Sequence, residues 1–413
     1  MKTTLRFPEK FLWGAATSSF QVEGDIENMD WAKAAKEGKL PAIGKACDHY
    51  NRFEQDFDLA HSLGHNCHRL SIEWARIEPE EGKFDSKEIE HYRRVLQALQ
   101  VRNMKPFVTL WHFTLPLWFS EKGGFENSKS PEIFARYCAH VVEQLGDLCS
   151  EYSTINEFMP YANNGWLRGT WPPFKKWPPM DRTGVAAYTN SMNAEGQKSW
   201  WNVVRFFSVL SNLAKAHNAA YDAIKKVQGS GSVNVGIVTH VVLFHANENP
   251  FNKMLAKFMN WQFTHRFMKK VHKKCDTIGL NYYMHKKYGD TQTYEKTDMG
   301  WDVYPEGITG AFLELKRYGK AIFVSEAGVA DAKDKIRAEY IKSLVFGTYQ
   351  AIQKGVDVQG FMYWSLLDNY ELAHGYSKRF GLIEVDFVTQ ERRIRPSAIV
   401  YKEICESNSV TVG

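Results

Sequence analysis

Short apolar runs recur along the entire sequence, and each is followed by a longer segment whose apolar residues have helical spacing. The runs are almost continuously apolar rather than alternating, which is typical of parallel strands that are buried on both faces. The predicted strands are residues 11–16, 67–72, 106–110, 153–156, 233–239, 277–281, 321–325 and 358–363. Eight strands that alternate with helices, without a shift in composition, predict an α/β fold: a single (β/α)8 TIM barrel over residues 1–413.

Helix signals lie between these strands. The predicted helices are a segment that opens at Asp85 and residues 52–63, 131–145, 208–226, 251–272, 310–318, 333–354 and 396–404. Asp85 and Glu88 have the spacing of a capping box. Gly64 has the position of a glycine that ends a helix. Residues 160–207 are rich in aromatic residues and proline, so we expect an extended βα loop there.

A doubly wound open sheet is the alternative fold. Such a sheet usually carries a glycine-rich nucleotide loop after its first strand. The first predicted strand ends instead in Gly14-Ala15-Ala16, which does not match that pattern. The barrel is therefore the favoured architecture.

Charge and cysteine usage exclude several classes of function. The net charge of +5 is small for 413 residues and forms no block, which argues against a nucleic-acid partner. No segment reaches the ~18 apolar residues of a membrane span, and the first residues lack the apolar core of a signal peptide. The six cysteines form no CxxC pair and have no zinc-binding spacing, so we expect buried free thiols and no metal. Together these features predict a soluble, cytoplasmic protein without a membrane partner, and they leave its oligomeric state open.

The carboxyl ends of the predicted strands carry a set of polar and aromatic side chains that a barrel would bring to one cleft. The set is Gln21, Arg69, His112, Asn156, Glu157, Tyr283, Glu326, Trp364 and Glu371. Amides and carboxylates bind hydroxyl groups, and an indole stacks on the apolar face of a sugar ring. An aromatic content of 14%, with 13 Trp, also favours a carbohydrate ligand. No G-x-S-x-G signature of a serine hydrolase is present.

Two of these carboxyl groups suit the cleavage of a glycosidic bond. One protonates the leaving oxygen and the other attacks the anomeric carbon, with a separation of about 5–5.5 Å in retaining enzymes. We assign Glu157 as acid/base and Glu326 as nucleophile. Arg69 would keep Glu326 ionised, and Tyr283 would donate a hydrogen bond to it.

Each residue also has a structural alternative. A glutamate after a strand commonly caps the next helix, and His112 and Trp364 could be core residues. Arg69 could pair with Glu73, for which we expect a structural role. Three further polar residues are interpreted as packing or hydrogen-bonding residues: Asp48, His49 and His68.

The sequence resembles glycoside hydrolase family 1, the β-glucosidase family, along nearly its whole length. The motifs that carry the resemblance are residues 11–24, 48–50, 69–72, 111–113, 156–157, 279–283, 363–371 and 375–382. The resemblance implies a (β/α)8 barrel that hydrolyses β-glycosides with retention and needs no cofactor or metal. It matches Glu157 to the acid/base, Glu326 to the nucleophile, and Tyr283 and Arg69 to the neighbours of the nucleophile. It matches the remaining residues to the pocket for the non-reducing sugar: Gln21, His112, Asn156, Trp364 and Glu371.

Three positions depart from the family pattern. Phe158 replaces the proline after the acid/base, Ala327 replaces the asparagine after the nucleophile, and Leu372 replaces a tryptophan after Glu371. The last change removes a hydrogen-bond donor to the sugar and leaves the choice between glucose, galactose and fucose open. The first two changes leave the local backbone geometry around the two glutamates undetermined.

The expected substrate is a small β-linked oligosaccharide or an aryl or alkyl β-glycoside. Two other functions are weighed against a β-glucosidase: a 6-phospho-β-glycosidase, which the negative charge of Glu371 disfavours, and a sugar-binding barrel with little catalysis. Hydrolysis and transfer to another sugar are not distinguished, and the natural aglycone is open. The loop at 160–207 contributes three candidate walls for the aglycone, for which packing of the barrel rim is the alternative: Trp166, Trp171 and Trp177.

Overall fold

Eight parallel strands close into a barrel in the computed structural model of the protein, which describes residues 3–178, 197–228 and 233–413. Each strand pairs with its neighbour in sequence, and the last pairs with the first. The strands are β1 Leu12–Ala16, β2 Cys67–Ser71, β3 Lys105–Thr109, β4 Glu151–Asn156, β5 Asn234–His240, β6 Thr277–Tyr282, β7 Ala321–Ala327 and β8 Val358–Trp364. All eight lie within a few residues of the predicted positions, so the barrel is confirmed.

Helices follow each strand and form the outer layer. The helices of the described residues are Ser19–Glu23, Asp30–Lys36, His49–Ser62, Trp74–Ile77, Ser86–Gln100, Leu117–Glu121, Ser130–Leu145, Phe158–Ala162, Asn202–Gln228, Pro250–Asn260, Arg266–Val271, Ile308–Lys316, Arg337–Gln353 and Pro396–Ser407. Paired short strands decorate the barrel: Thr3–Arg6 with Ser409–Val412, Leu243–Ala246 with His285–Tyr288, Ile383–Val385 with Arg392–Ile394, and Lys175–Lys176 with Gln197–Lys198. In the described part of the chain, no helix combines the length and the apolar character needed to cross a membrane.

Several helices differ by a few residues from their predicted bounds, and for two of them the structure shows a local reason. The segment at 251–272 is interrupted by a π-helical turn at Trp261–His265. The helix predicted at 333–354 begins at Arg337 because the Asp331 carboxylate accepts hydrogen bonds from the backbone N–H groups of Ile336 and Arg337, at 2.8 and 3.1 Å. Such a side-chain acceptor satisfies the free N–H groups of a first helical turn.

The capping box at Asp85 is half correct. The Asp85 carboxylate accepts from the backbone N–H of Lys87 at 2.8 Å, as an N-cap should. The Glu88 carboxylate does not return to Asp85; it accepts from the Tyr50 hydroxyl at 3.1 Å. The predicted helix end is confirmed, since Gly64 has a φ of 74° and its N–H bonds to the His61 carbonyl.

Apolar side chains fill the amino-terminal half of the barrel. Cys67, Phe107, Phe323 and Met362 are buried together there, with Leu12 against them. The polar side chains that follow on the same strands therefore lie at the opposite, carboxyl end, where loops are free to vary. All six cysteines are buried free thiols.

Candidate active site

The barrel brings the two predicted catalytic carboxyls to its carboxyl end from separate strands. Glu157 follows β4 directly, and Glu326 is the next-to-last residue of β7. Both are buried, with 7% and 4% of their surfaces exposed. Only β5 and β6 lie between their strands in the barrel, so both residues belong to one arc of the same rim.

Glu326 is surrounded by groups that stabilise a negative charge. The Arg69 guanidinium donates to its Oε1 through Nη1, and the Tyr283 hydroxyl donates to its Oε2 at 2.7 Å. Burial and the nearby charge of Glu157 raise the pKa of Glu326, while Arg69 and Tyr283 oppose this rise. A carboxylate so held is fixed in orientation and is ready to act as a nucleophile.

Glu157 has a less polar environment. It accepts one hydrogen bond, at 2.7 Å from Nδ2 of Asn281 to Oε1. Burial raises the pKa of Glu157 to about 7, although the Asn281 amide and the Arg69 charge lower it in part. A carboxyl with this pKa holds its proton near neutrality and can release it to a leaving group.

Arg69 connects the two carboxyl groups through a network of amides. Its Nη2 donates to Oδ1 of Asn156 at 2.8 Å and its Nε donates to Oγ1 of Thr109 at 3.0 Å. Asn281 reaches the same Asn156 oxygen at 3.3 Å, and the Ser325 hydroxyl donates to Oδ1 of Asn281 at 2.7 Å. Each amide is thus held in one orientation, which keeps both carboxyls in place.

Asn281 is a site residue to which sequence reasoning gave no role. It lies at the end of β6, beside Glu326 in the register of β6 and β7. His240 was also missed: it ends β5, its ring lies 5.8 Å from that of Tyr283, and burial lowers its pKa to about 4. The signal for both was the position at a strand end, which had already selected the other residues.

His112 faces the same rim and is neutral. Burial and the Arg69 charge lower its pKa well below the usual value. Its Nε2 lies 3.2 Å from the amide nitrogen of Asn156, which can only donate, so Nε2 is the acceptor and Nδ1 carries the proton. Nδ1 has no hydrogen-bond partner among the residues that the structure describes, so it can donate to a ligand. The ring stacks on that of Trp364 with centroids 5.9 Å apart, and Trp364 is itself 3% exposed in a small buried cluster with Tyr283.

Gln21 and Glu371 present acceptors. The Gln21 amide nitrogen donates to Oδ1 of Asn369 at 3.2 Å and to the Tyr370 carbonyl at 3.0 Å, which turns its oxygen away from these partners. Oε2 of Glu371 is buried and has no hydrogen-bond partner in the described part of the chain. Burial raises the pKa of Glu371 to about 8, and the charges of Glu326 and Glu157 add to the rise. An unpartnered buried carboxyl oxygen is costly unless a ligand supplies the hydrogen bond.

Several residues near the site have structural roles, as expected for Glu73 and as the alternative for the loop tryptophans. Glu73 does not contact Arg69; its carboxylate accepts from the Thr114 and Ser19 hydroxyls, at 2.9 and 3.2 Å. Trp166 is 2% exposed and donates to Glu126 at 2.6 Å, so it packs the barrel rim and cannot form a wall for an aglycone.

Trp171 packs on Trp31 and Phe113 with ring centroids at 5.5 and 4.8 Å, which is also rim packing. Trp177 lies near the exposed Trp200, at 6.4 Å. Trp177 is therefore the one candidate wall that lies beside an exposed aromatic residue in the described part of the loop.

His49, for which a packing or hydrogen-bonding role was expected, forms a hydrogen bond through Nδ1 with the Asp56 carboxylate at 2.8 Å.

The three departures from the family pattern are accommodated locally. Phe158 is buried and stacks on Phe267 with ring centroids 3.6 Å apart. Ala327 is fully buried within β7, and Gly328 after it is required because a Cβ there would lie 1.9 Å from the Trp364 carbonyl oxygen. Leu372 is 7% exposed and begins the short turn Leu372–His374 with a φ of 46°.

The family model of Glycosyl hydrolase family 1 matches residues 3–293 and 277–410. The chain belongs to this family. As a family 1 glycoside hydrolase it is similar to a 1,4-β-D-glucan glucohydrolase of Thermotoga neapolitana, at 30% identity over 98% of this chain and 99% of the relative. It is also 31% identical to β-glucosidase A of Acetivibrio thermocellus, over 98% of this chain and 99% of that one.

Solved structures agree with the family 1 assignment. A β-glycosidase from Pyrococcus horikoshii superposes with a TM-score of 0.86 at 35% identity, covering 99% of this chain and 96% of that one. A β-glucosidase from Thermotoga maritima in complex with glucoimidazole gives a TM-score of 0.85 at 29% identity, covering 98% and 99% of the two chains.

Proposed function

We propose that the protein is a retaining β-glucosidase that hydrolyses terminal β-D-glucosyl residues of short oligosaccharides and of aryl or alkyl β-glucosides. The observation that carries the proposal is the unequal setting of two buried carboxyl groups on one rim. Glu326 accepts hydrogen bonds from a cation and a phenol, whereas Glu157 accepts one from an amide. Environments that differ in this way separate an ionised carboxylate from a protonated one.

In the first step, the Glu326 carboxylate attacks the anomeric carbon of the bound sugar. Glu157 donates its proton to the glycosidic oxygen, so the aglycone leaves as a neutral alcohol. A covalent glycosyl–Glu326 ester remains, and the ester neutralises the charge that Arg69 had stabilised. Tyr283 and Arg69 position the attacking oxygen until that moment.

In the second step, Glu157 is ionised and acts as a base. It removes a proton from a water molecule, which attacks the same anomeric carbon and releases Glu326. Two inversions give net retention. The role of Glu157 thus requires a pKa close to the operating pH, and its value of about 7 satisfies this requirement.

The glycone pocket favours an uncharged sugar rich in hydroxyl groups. The free Nδ1–H of His112 and the unpartnered oxygen of Glu371 supply one donor and one acceptor. A 6-phosphorylated sugar would bring a second anion into the pocket that already holds the ionised carboxylate of Glu326, which is unfavourable. A 6-phospho-β-galactosidase of Leptotrichia buccalis is a relative at 27% identity, so the phosphorylated substrate is included in the test below.

The test is the initial rate on 4-nitrophenyl β-D-glucoside, its galactoside and its 6-phosphoglucoside. We expect the glucoside to be hydrolysed, and Glu326→Gln to lower kcat by more than about 10³-fold. Glu384→Gln is the matched control because this glutamate is half exposed and lies outside the site. Sugar binding without turnover by the wild type would favour a binding barrel. Turnover of the phosphorylated substrate alone would favour a 6-phospho-β-glycosidase.

We also propose a cytoplasmic location. The support is the set of six buried cysteines, all of them free thiols, which is typical of proteins kept in a reducing compartment. Fractionation of the native cell tests this proposal, and recovery from the medium would contradict it.

A further inference from the structure

One outer helix of the barrel turns its apolar face to solvent. Helix Pro250–Asn260 and the turn after it expose Phe251, Met254, Phe258 and Trp261, at 65, 60, 54 and 38% of their surfaces. These positions are three, four and three residues apart, so they form one stripe along the helix. Scattered exposed apolar residues are normal, but a continuous stripe marks an interaction site.

The inward face of the same helix is small and polar. Ala256 and Asn260 are its buried residues. The Asn260 side chain donates to the Phe244 carbonyl at 2.7 Å and accepts from the Phe244 N–H at 3.1 Å. This pair of hydrogen bonds fixes the rotation of the helix, so the exposure of the aromatic residues is imposed by the sequence.

A second exposed group extends the stripe. Trp200, Trp201 and Val204, at the start of helix Asn202–Gln228, are 67, 70 and 53% exposed. The Arg266 guanidinium lies between the two helices: it is 4.2 Å from the ring of Phe207, which is three residues after Val204, and 5.9 Å from the Trp261 ring. We call the seven exposed residues the apolar patch: Trp200, Trp201, Val204, Phe251, Met254, Phe258 and Trp261.

The segment that carries most of the apolar patch is strongly basic. Residues 250–274 contain seven cations and no aspartate or glutamate. The cations are Lys253, Lys257, Arg266, Lys269, Lys270, Lys273 and Lys274. Glu248 pairs with Lys253 and Asp222 with Lys274, and both acids lie outside the segment. An apolar face flanked by lysines and ending in tryptophan is typical of helices that lie in the interface of an anionic membrane.

We propose that the apolar patch docks the protein on an anionic lipid surface. The aromatic side chains would enter the headgroup region, and the lysines beside them would bind lipid phosphates. A second copy of the chain fits less well, because a two-fold contact would bring the basic segments together. This peripheral docking departs from the expectation of no membrane partner, which rested on the lack of an apolar segment long enough to span a membrane.

The position of the patch gives the docked protein a definite orientation. Helices of a (β/α)8 barrel run antiparallel to the strands, so their amino-terminal turns lie near the rim that carries the site. Phe251 is in the first turn of its helix, and Trp200 and Trp201 precede theirs. The mouth of the site would therefore border the lipid surface.

Sedimentation with lipid vesicles tests the proposal. The full-length protein should bind vesicles of phosphatidylcholine with phosphatidylserine more tightly than vesicles of phosphatidylcholine alone. Binding should weaken from about 50 mM to about 500 mM NaCl, because salt screens the lysines. The triple variant Phe251→Ser, Met254→Ser, Phe258→Ser should bind at least about 10-fold less, with unchanged turnover of a soluble aryl β-glucoside.

A matched variant controls for the loss of apolar surface in general. Val101, Val388 and Ile399 are exposed at 76, 93 and 45% on other elements, and their replacement by serine should leave vesicle binding unchanged. The charge variant Lys257→Glu, Lys269→Glu, Lys270→Glu should lose the preference for phosphatidylserine.

Three results would overturn the proposal. They are no binding of the wild type to either vesicle, equal binding to both, and wild-type binding by the serine variant of the patch. If the wild type forms dimers that this variant abolishes, while neither binds vesicles, the patch is an interface between copies.

Discussion

Replacing Glu157 by glutamine should stabilise the protein in a manner that depends on pH. Burial raises the pKa of this carboxyl from 4.5 to about 7. The native state therefore holds the proton to higher pH than the unfolded state, and the free energy of unfolding falls as the pH rises from about 4.5 to 7. At 1.36 kcal/mol per pH unit, the full loss above pH 7 is about 3 kcal/mol.

Glutamine cannot ionise, so the substitution removes this loss in the free energy of unfolding and preserves the packing of the side chain. It has the shape of a protonated glutamic acid, and its Oε1 can still accept from Asn281. The variant should exceed the wild type in free energy of unfolding by about 3 kcal/mol at about pH 8, and by less than about 1 kcal/mol at about pH 5. Urea-induced unfolding, followed by tryptophan fluorescence at the two pH values, measures the difference.

Glu248→Gln is the control for this experiment. That side chain is 97% exposed, so its replacement should give no gain in stability at the higher pH. A Glu157→Gln variant whose advantage is the same at both pH values would refute the reasoning, because the cost would then not come from ionising a buried carboxyl.

Three further predictions concern activity. The wild-type kcat/KM should fall as the pH rises through about 7, because Glu157 must hold its proton in the first step. The kcat/KM of Glu157→Gln for 2,4-dinitrophenyl β-glucoside, whose leaving group needs no proton, should not fall over the same pH range. Arg69→Met should lower kcat by about 10²–10³-fold and move the acid limb of the pH profile upward, because Glu326 loses its cation; an unchanged acid limb would contradict this. Glu371→Gln should raise KM for the glucoside by about 10-fold and reduce discrimination against the galactoside, because an amide replaces the carboxyl group whose buried Oε2 is available to the sugar. Steady-state kinetics on both sugars measure this, and an unchanged ratio of kcat/KM between them would contradict it.

The barrel was predictable because its strands are short, buried on both faces and separated by helices. These properties follow from local sequence, and all eight strands were found. The same reasoning selected Glu157 and Glu326, since the carboxyl end of a barrel strand is a position that topology alone defines. The roles given to the site residues came from chemistry and from the family motifs.

Long-range contacts were less predictable. Glu88 bonds to Tyr50 rather than to its own helix end, and that partner is 38 positions away. Asn281 acts on Glu157 across 124 positions, and the strand end alone does not say which carboxyl it faces. Trp166 was a candidate wall because of its position in the loop, but its indole is buried and donates a hydrogen bond to Glu126. In each case the deciding partner lies on another element.

The proposed mechanism requires that Glu326 forms a covalent bond to the sugar. Incubation with 2,4-dinitrophenyl 2-deoxy-2-fluoro-β-D-glucoside, followed by proteolysis and mass spectrometry, tests it directly, because the fluorine slows release of the covalent intermediate. We predict one glycosylated peptide, labelled at Glu326. A label on Glu157 or Glu371, or turnover of the ordinary glucoside with inversion and without any labelled peptide, would contradict the account.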